Sequence, residues 1–410
     1  RLQHCSIGAR TNRATRQMIA NLARKHGFKL SGLRRFNRKM NDADWQSYIT
    51  ARSGDPEQHF GLPSGPVIGD QGQRLAWVSV PPVRALDQSD PVNLCHWLLD
   101  RHLAEHASNT AVVCDDQNVT YAELDLMSRS MAFRLQSLGV SVGDFVAFIC
   151  DDTPQVLAAF IACWRLGAIA SPMNTGLPID QHLKMLGTIK PRIVVLDSTH
   201  LSLSSTFGGH AIQTQSLNTL LASATNDELA TLDWAAINDR MSLDSPLVAL
   251  FSSGSTGTPK AILHSHGDLI AISTNYMPTI VSVQAGEVVF SPSRMFFGYG
   301  LNSVVFALFA AGTAVLLGAP PRAKTVLEAL ERYQVNVLFS VPTILKLMFA
   351  AWPDTGLQLP HLRLCISAGE TLPASLYALA LDRFGVEIID GIGTTEVLST
   401  FISTRQGESR

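Results

Sequence analysis

The chain has 410 residues, 46% of them apolar and 16% charged, with a formal net charge of −2. That length accommodates more than one sizeable core, and that balance excludes both a disordered chain and a chain-wide field for nucleic acid. The six cysteines (Cys5, Cys95, Cys114, Cys150, Cys163, Cys365) form no CxxC pair and no metal-ligand spacing, so free thiols in a reducing, cytoplasmic compartment are expected. The longest apolar stretch, 304–318, is interrupted at Gly312-Thr313. It reads as a helix end, a turn and a strand, since a membrane span needs about 20 apolar residues. No signal peptide is visible, and a start at Arg1 reads as a fragment edge or a processed end.

Residues 1–90 form an unassigned region. A helix is expected over 15–26, stopped by Gly27. The basic cluster Arg24, Lys25, Lys29, Arg34, Arg35, Arg38 and Lys39 reads as a solvated helix face before a phosphate site, and a Pro/Gly-rich passage follows over 56–82. From Val92 short apolar strands alternate with helices. Helix is expected over 93–107, strands over 111–114 and 118–121, and an amphipathic helix to Leu138. Thr120 and Glu123 have capping-box spacing at its start, and Gly139 ends it. Strands follow at 145–150, 169–172 and 192–196, with helices at 154–166 and 180–189; residues 206–240 read as a polar, irregular connection. A second series starts at Leu247, with strands at 247–251, 261–264, 288–291, 314–317, 337–340, 364–367 and 387–390. Its helices span 300–311, 323–333, 342–351 and 373–384. The alternation predicts an α/β fold of two doubly wound, mainly parallel halves, 91–240 and 241–410.

Three loops at strand ends carry the chemistry. Strand 247–251 empties into Ser252-Ser253-Gly254-Ser255-Thr256-Gly257-Thr258-Pro259-Lys260. Its glycines allow close backbone approach, its hydroxyls donate, and its lysine adds charge, which suits a polyphosphate better than it suits a flexible linker. The usual P-loop is excluded, because Pro259 precedes the lysine and a strand follows it. The other loops are Ser367-Ala368-Gly369-Glu370-Thr371-Leu372-Pro373 and Gly391-Ile392-Gly393-Thr394-Thr395-Glu396. In parallel sheets ligands bind beyond the carboxyl ends of strands, so all three point to one crevice. Glu396 is a candidate Mg²⁺ ligand, or alternatively an exposed acid at a helix start. His264 and His266 read as a structural or nucleotide-proximal pair on the strand after Lys260, and not as a zinc site, for want of a third ligand.

The order of these loops resembles the adenylate-forming family of acyl-CoA synthetases, adenylation domains and luciferases. Residues 252–260 match its phosphate loop, Gly393-Thr394-Thr395-Glu396 its Thr-Glu motif, and residues 120–124 (TYAEL) an early landmark. Within the family the likeness is to benzoate–CoA ligases, carried by NLCHWLLDRHL (93–103), FFGYGLN (296–302), LRLCISAGETLP (362–373) and FGVEIIDGIGTTE (384–396). It covers residues 91–410. The resemblance implies the large N-terminal domain of an adenylate-forming enzyme, with two stacked sheets, that joins benzoate or a substituted benzoate to CoA at the expense of Mg-ATP. It implies pyrophosphate-loop roles for Ser252, Ser253, Gly254, Ser255, Thr256, Gly257, Thr258 and Lys260. Gly369, Glu370 and Thr371, with Asp390, would border the adenine, Thr395 would contact the α-phosphate, Gly391, Gly393 and Thr394 would also bind the nucleotide, and Glu396 would hold Mg²⁺. Lys260, Thr395 and Glu396 are the implied catalytic set. The acid would meet Gly298, Tyr299, Ala368, Gly393, Ser399 and Thr400, with Phe297 either a gate or a core aromatic.

Two departures stand out. Benzoate ligases carry alanine at the place of Gly298 and histidine at that of Ser399, so a roomier acid pocket is expected here. The family also continues into a small lid domain with a catalytic lysine, whereas this sequence stops at Arg410. A fragment or a truncated protein is therefore expected. Competing readings are an adenylation domain that loads a carrier protein and a non-catalytic nucleotide- or acid-binding protein.

Overall fold

The computed structural model describes residues 67–68, 74–75, 91–252, 259–352 and 357–404. The helix expected over 15–26, the basic cluster and most of the phosphate loop (253–258) lie outside these residues. Val67–Ile68 (β1) and Arg74–Leu75 (β2) pair antiparallel and belong to a second unit. The described residues from 91 to 403 belong to one compact unit.

That unit holds two sheets. Pro246–Ser252 (β9) and Lys260–Ser265 (β10) join Phe145–Ile149 (β5), Ile169–Pro172 (β6), Ile193–Leu196 (β7) and Thr214–Ser216 (β8) in the order β10-β9-β6-β5-β7-β8. The eight-stranded sheet contains Thr110–Cys114 (β3), Gln117–Thr120 (β4), Val288–Phe290 (β11), Thr313–Leu316 (β12) and Val337–Ser340 (β13). Leu364–Ser367 (β14), Ile388–Gly393 (β15) and Thr400–Ser403 (β16) complete it, in the order β16-β15-β14-β13-β11-β12-β3-β4. Only β4, β10 and β16 run antiparallel to their neighbours, each at a sheet edge. The sheets are not filled one half of the chain at a time. β3 pairs with β12 across the sequence, and β9 pairs with β6, so each half lends strands to the other's sheet.

The apolar runs explain the layering. β5, β13 and β14 are buried on nearly every residue, as strands covered on both faces must be. Helices Pro154–Arg165 and Gly298–Phe309 are apolar around almost their whole circumference and correspondingly buried. The first touches β6 of one sheet and β3 of the other. Thr153 caps it, with Pro154 in the first turn where a missing N–H costs nothing. Helix Tyr121–Ser137 begins with the expected capping box: Thr120 and Glu123 satisfy each other's backbone N–H groups.

Three local expectations are corrected. The helix over 93–107 is broken into Leu94–Leu98, a 3₁₀ turn Asp100–His102 and Leu103–His106. The irregular stretch 206–240 contains edge strand β8 and three short helices (Leu217–Leu220, Asn226–Ala230, Trp234–Asn238) capped by Ser216, Thr225 and Asp233. Cap side chains, not apolar periodicity, carry these short elements. His266 is not on the strand: a capping box between Ser265 and Asp268 ends β10 and starts helix His266–Tyr276.

Candidate active site

The loop after β9 returns as β10, and this hairpin sets Lys260 opposite Ser252. Ser253, Gly254, Ser255, Thr256, Gly257 and Thr258 lie outside the described residues; Lys260 is exposed at the start of its strand. Side chains alternate along a strand, so His264 shares a face with Lys260. His264 is only 2% exposed. Its Nε2 lies 2.8 Å from the carbonyl oxygen of Thr395, and its Nδ1 lies 3.8 Å from Asp268 Oδ2. A carbonyl only accepts, so Nε2 carries the hydrogen. This contact joins β10 of the six-stranded sheet to the turn that follows β15 of the eight-stranded sheet. It brings the strand that follows the first expected loop to the third expected loop.

The turn itself is tightly built. Val397 N–H donates to the Thr394 carbonyl and to Thr394 Oγ1, and Leu398 N–H donates to the Thr395 carbonyl. Leu398 adopts φ +59°, a left-handed conformation that is costly for a side chain with a Cβ. The amide of Asn302, from the buried helix Gly298–Phe309, donates to the Leu398 carbonyl and holds it there. With the backbone acceptors engaged, the Glu396 side chain is exposed and makes no ion pair among the described residues. Glu396 offers a carboxylate and Thr394 and Thr395 offer hydroxyls within three consecutive residues, a hard-oxygen set of the kind that suits Mg²⁺.

Gly391 and Gly393 have a reason beyond turn formation. A Cβ on Gly393 would lie 2.6 Å from the Ser399 carbonyl oxygen, and one on Gly391 would collide with the Thr400 methyl. Both glycines let β16 fold back against β15. Asp390 sits opposite Ser367 in the β14–β15 pairing. Ser367 is fully buried, and its hydroxyl has no partner among the described residues. Ala368 is buried, Gly369 has φ +87°, and Glu370 and Thr371 are exposed. The Thr343 hydroxyl donates to Glu370 at 2.7 Å, so that carboxylate is anchored to helix Pro342–Ala350.

Among the residues expected to meet the acid, Tyr299 donates its hydroxyl to the Ile366 carbonyl at 2.9 Å, and burial pushes its ionisation far above the usual phenol range. Phe297 is 54% exposed and, among the described residues, its ring contacts only that of Phe296, which rules out the core-aromatic reading. The expectation of extra room at Gly298 is corrected. A Cβ there would sit 3.0 Å from Leu398 Cδ1 and 3.3 Å from Leu250 Cδ1, so the chain's own leucines take that space. His266 is structural. It is fully buried, its Nδ1 accepts from Leu94 N–H at 3.0 Å, and burial pulls its pKa down to about 3. The sequence assigns no site role to Asn302, Leu398 or Leu250, because an asparagine inside an apolar helix and two leucines do not by themselves show what they will touch.

A second polar group lies at the ends of β5 and β7. Asp197 accepts from Asp151 N–H at 2.6 Å and from His200 Nδ1 at 2.7 Å, while Arg294 pairs with Asp151 at 2.7 Å and with Asp152 at 3.3 Å. Burial raises the Asp152 pKa to about 6 against the opposing pull of Arg294. With a guanidinium inside it, the cluster is an ion-pair network and not a cation site.

Residues 99–410 match the family described as AMP-binding enzyme. The chain is 34% identical over 315 residues to a benzoate–CoA ligase from Thauera aromatica, which covers 75% of this chain and 59% of that protein. It is 28% identical over 329 residues to a 3-hydroxybenzoate/4-hydroxybenzoate–CoA ligase of the same organism, covering 78% and 63%. A solved anthranilate CoA ligase in complex with anthranoyl-AMP superposes with a TM-score of 0.70 at 27% identity, covering 78% of this chain and 62% of that one. The chain thus spans about 60% of the length of the curated relatives it matches.

Proposed function

Because the chain belongs to the AMP-binding enzyme family, we propose that it forms the nucleotide- and acid-binding part of an ATP-dependent aromatic acid–CoA ligase acting on benzoate or a substituted benzoate. The observation that carries this reading is the His264–Thr395 contact, which sets the Lys260 strand beside the Thr394–Glu396 turn. The relatives that act on benzoate and hydroxybenzoate, and the one holding anthranoyl-AMP, support an aromatic acid.

A free carboxylate resists thiol attack because its leaving group would be oxide. Adenylation supplies a better one. In the first step a carboxylate oxygen bonds to the α-phosphorus of ATP while the bond to pyrophosphate breaks. In the second the CoA thiol attacks the acyl carbon and AMP departs. The protein's work is positioning and charge neutralisation. Lys260, with Ser252 and the loop 253–258, takes the departing phosphates, and Thr395 takes the α-phosphate. Gly369, Glu370, Thr371 and Asp390 border the adenine, and Gly391, Gly393 and Thr394 also bind the nucleotide. Phe297, Gly298, Tyr299, Ala368, Gly393, Ser399 and Thr400 face the acid. Glu396 would hold Mg²⁺, which neutralises polyphosphate charge when bound. Among the described residues no helix is long and apolar enough to cross a membrane, and a cytoplasmic setting, where ATP and CoA are available, fits the reading.

The test is acid-dependent ATP–pyrophosphate exchange with benzoate, hydroxybenzoates, aminobenzoates and short fatty acids, followed by CoA addition. Exchange with an aryl acid, reduced about 100-fold in Glu396→Gln, is expected. Exchange with fatty acids alone would refute the aromatic assignment. ATP binding without exchange for any acid would leave this chain a nucleotide-binding unit.

A further inference from the structure

We propose that His264 is a positioning residue, which fixes the α-phosphate-binding turn relative to the phosphate-loop hairpin; this rests on the assignment of Thr395 to the α-phosphate. The Thr395 carbonyl receives two donors, His264 Nε2 at 2.8 Å and Leu398 N–H at 3.2 Å, which fill both its lone pairs. The second donor belongs to a residue held at φ +59°, so the turn is strained and keeps its shape only while it is tied down. Asn302 ties the Leu398 end to the buried helix, and His264 ties the Thr395 end to β10. His264 is itself held by burial, at 2% exposure, and the Asp268 carboxylate lies 3.8 Å from its Nδ1. Asp268 is in turn held by Ser265 N–H at 3.0 Å.

The geometry has a functional consequence. Lys260 and His264 lie on one continuous strand, about 13 Å apart at the rise of an extended chain. One rigid element therefore carries both the cation for the departing phosphates and the pin for the α-phosphate residue. The spacing between the two phosphate contacts is then set by β10. A leucine at position 264 would fill the space and leave the Thr395 carbonyl with one donor.

The test compares AMP with adenosine, which differ only in the phosphate that the turn would receive. Dissociation constants are measured by calorimetry or ligand-observed NMR on the whole chain carrying His264→Ala, His264→Gln or His264→Asn. A glutamine amide nitrogen reaches the place of Nε2, whereas an asparagine nitrogen reaches only that of Nδ1. In His264→Ala, AMP binding is expected to weaken about tenfold, the worth of one well-placed hydrogen bond, with adenosine binding unchanged. Glutamine should restore AMP binding to within about twofold and asparagine should not. Equal weakening of both ligands, equal behaviour of glutamine and asparagine, or wild-type AMP binding in a folded alanine variant would each overturn the proposal. If the unmodified chain binds neither AMP nor adenosine, the nucleotide-site reading fails and the inference falls with it. AMP bound normally by all the variants defeats only the inference.

Discussion

Replacing His266 by asparagine should uncouple acid sensitivity from packing at the junction of β10 and its following helix. His266 is fully buried, accepts from Leu94 N–H at 3.0 Å through Nδ1, and leaves Nε2 without a partner among the described residues. Burial lowers its pKa from 6.5 to about 3. Between those values the unfolded chain binds a proton that the folded chain refuses. Stability is therefore whole above pH 6.5 and is lost as pH falls toward 3. At about 1.4 kcal/mol per unit, the loss from this one group between pH 7 and pH 4 is about 3 kcal/mol, and about 2 kcal/mol by pH 5. An asparagine oxygen can take the Leu94 hydrogen bond and does not titrate, but it forfeits ring packing, at a cost of about 2 kcal/mol at pH 7. Urea unfolding of both proteins at pH 7, 6, 5 and 4 should show the wild type ahead at neutral pH, a crossing near pH 5, and the variant ahead at pH 4. Taking the difference between the two proteins removes every other titrating group from the comparison. A constant offset across the series would show that His266 titrates normally in the fold, and the reasoning from burial would be refuted.

Gly393→Ala should cost about 1–3 kcal/mol in chemical denaturation, because its methyl would lie 2.6 Å from the Ser399 backbone oxygen and β16 would have to separate from β15. An unchanged midpoint would mean that the hairpin has slack. Cys95, Cys114, Cys150, Cys163 and Cys365 are all buried, and burial pushes the first two thiols up to about 12 and the rest clearly upward. In a Cys5→Ser background no thiol should therefore react with an aromatic disulfide reagent at pH 8 until denaturant is added. Stoichiometric labelling of the native protein would contradict this burial.

Much of the site was legible from residue order. The strand–loop–strand reading of 247–264 follows from apolar runs flanking a Gly/Ser/Thr segment closed by Pro259-Lys260, and β9 and β10 bear it out. The Thr120–Glu123 capping box is a local device of four residues, so spacing alone was enough to find it. Residues 206–240 were misread because their short helices depend on caps and edge pairing, which leave little periodicity. Gly298 shows the limit from the other side: the missing methyl was visible, but Leu250 and Leu398, which fill its place, are 48 residues before it and 100 residues after it.

By itself, then, the sequence determined the α/β class, the strand ends that carry the loops, and the family, because hydrophobic period, caps and glycine-hydroxyl motifs act within a few neighbouring residues. Only the tertiary structure decided which strands share a sheet, why Gly391 and Gly393 must be glycine, and that His264 holds the Thr395 carbonyl. Those facts rest on contacts across strand pairings and between the two sheets, which exist only once the chain has folded.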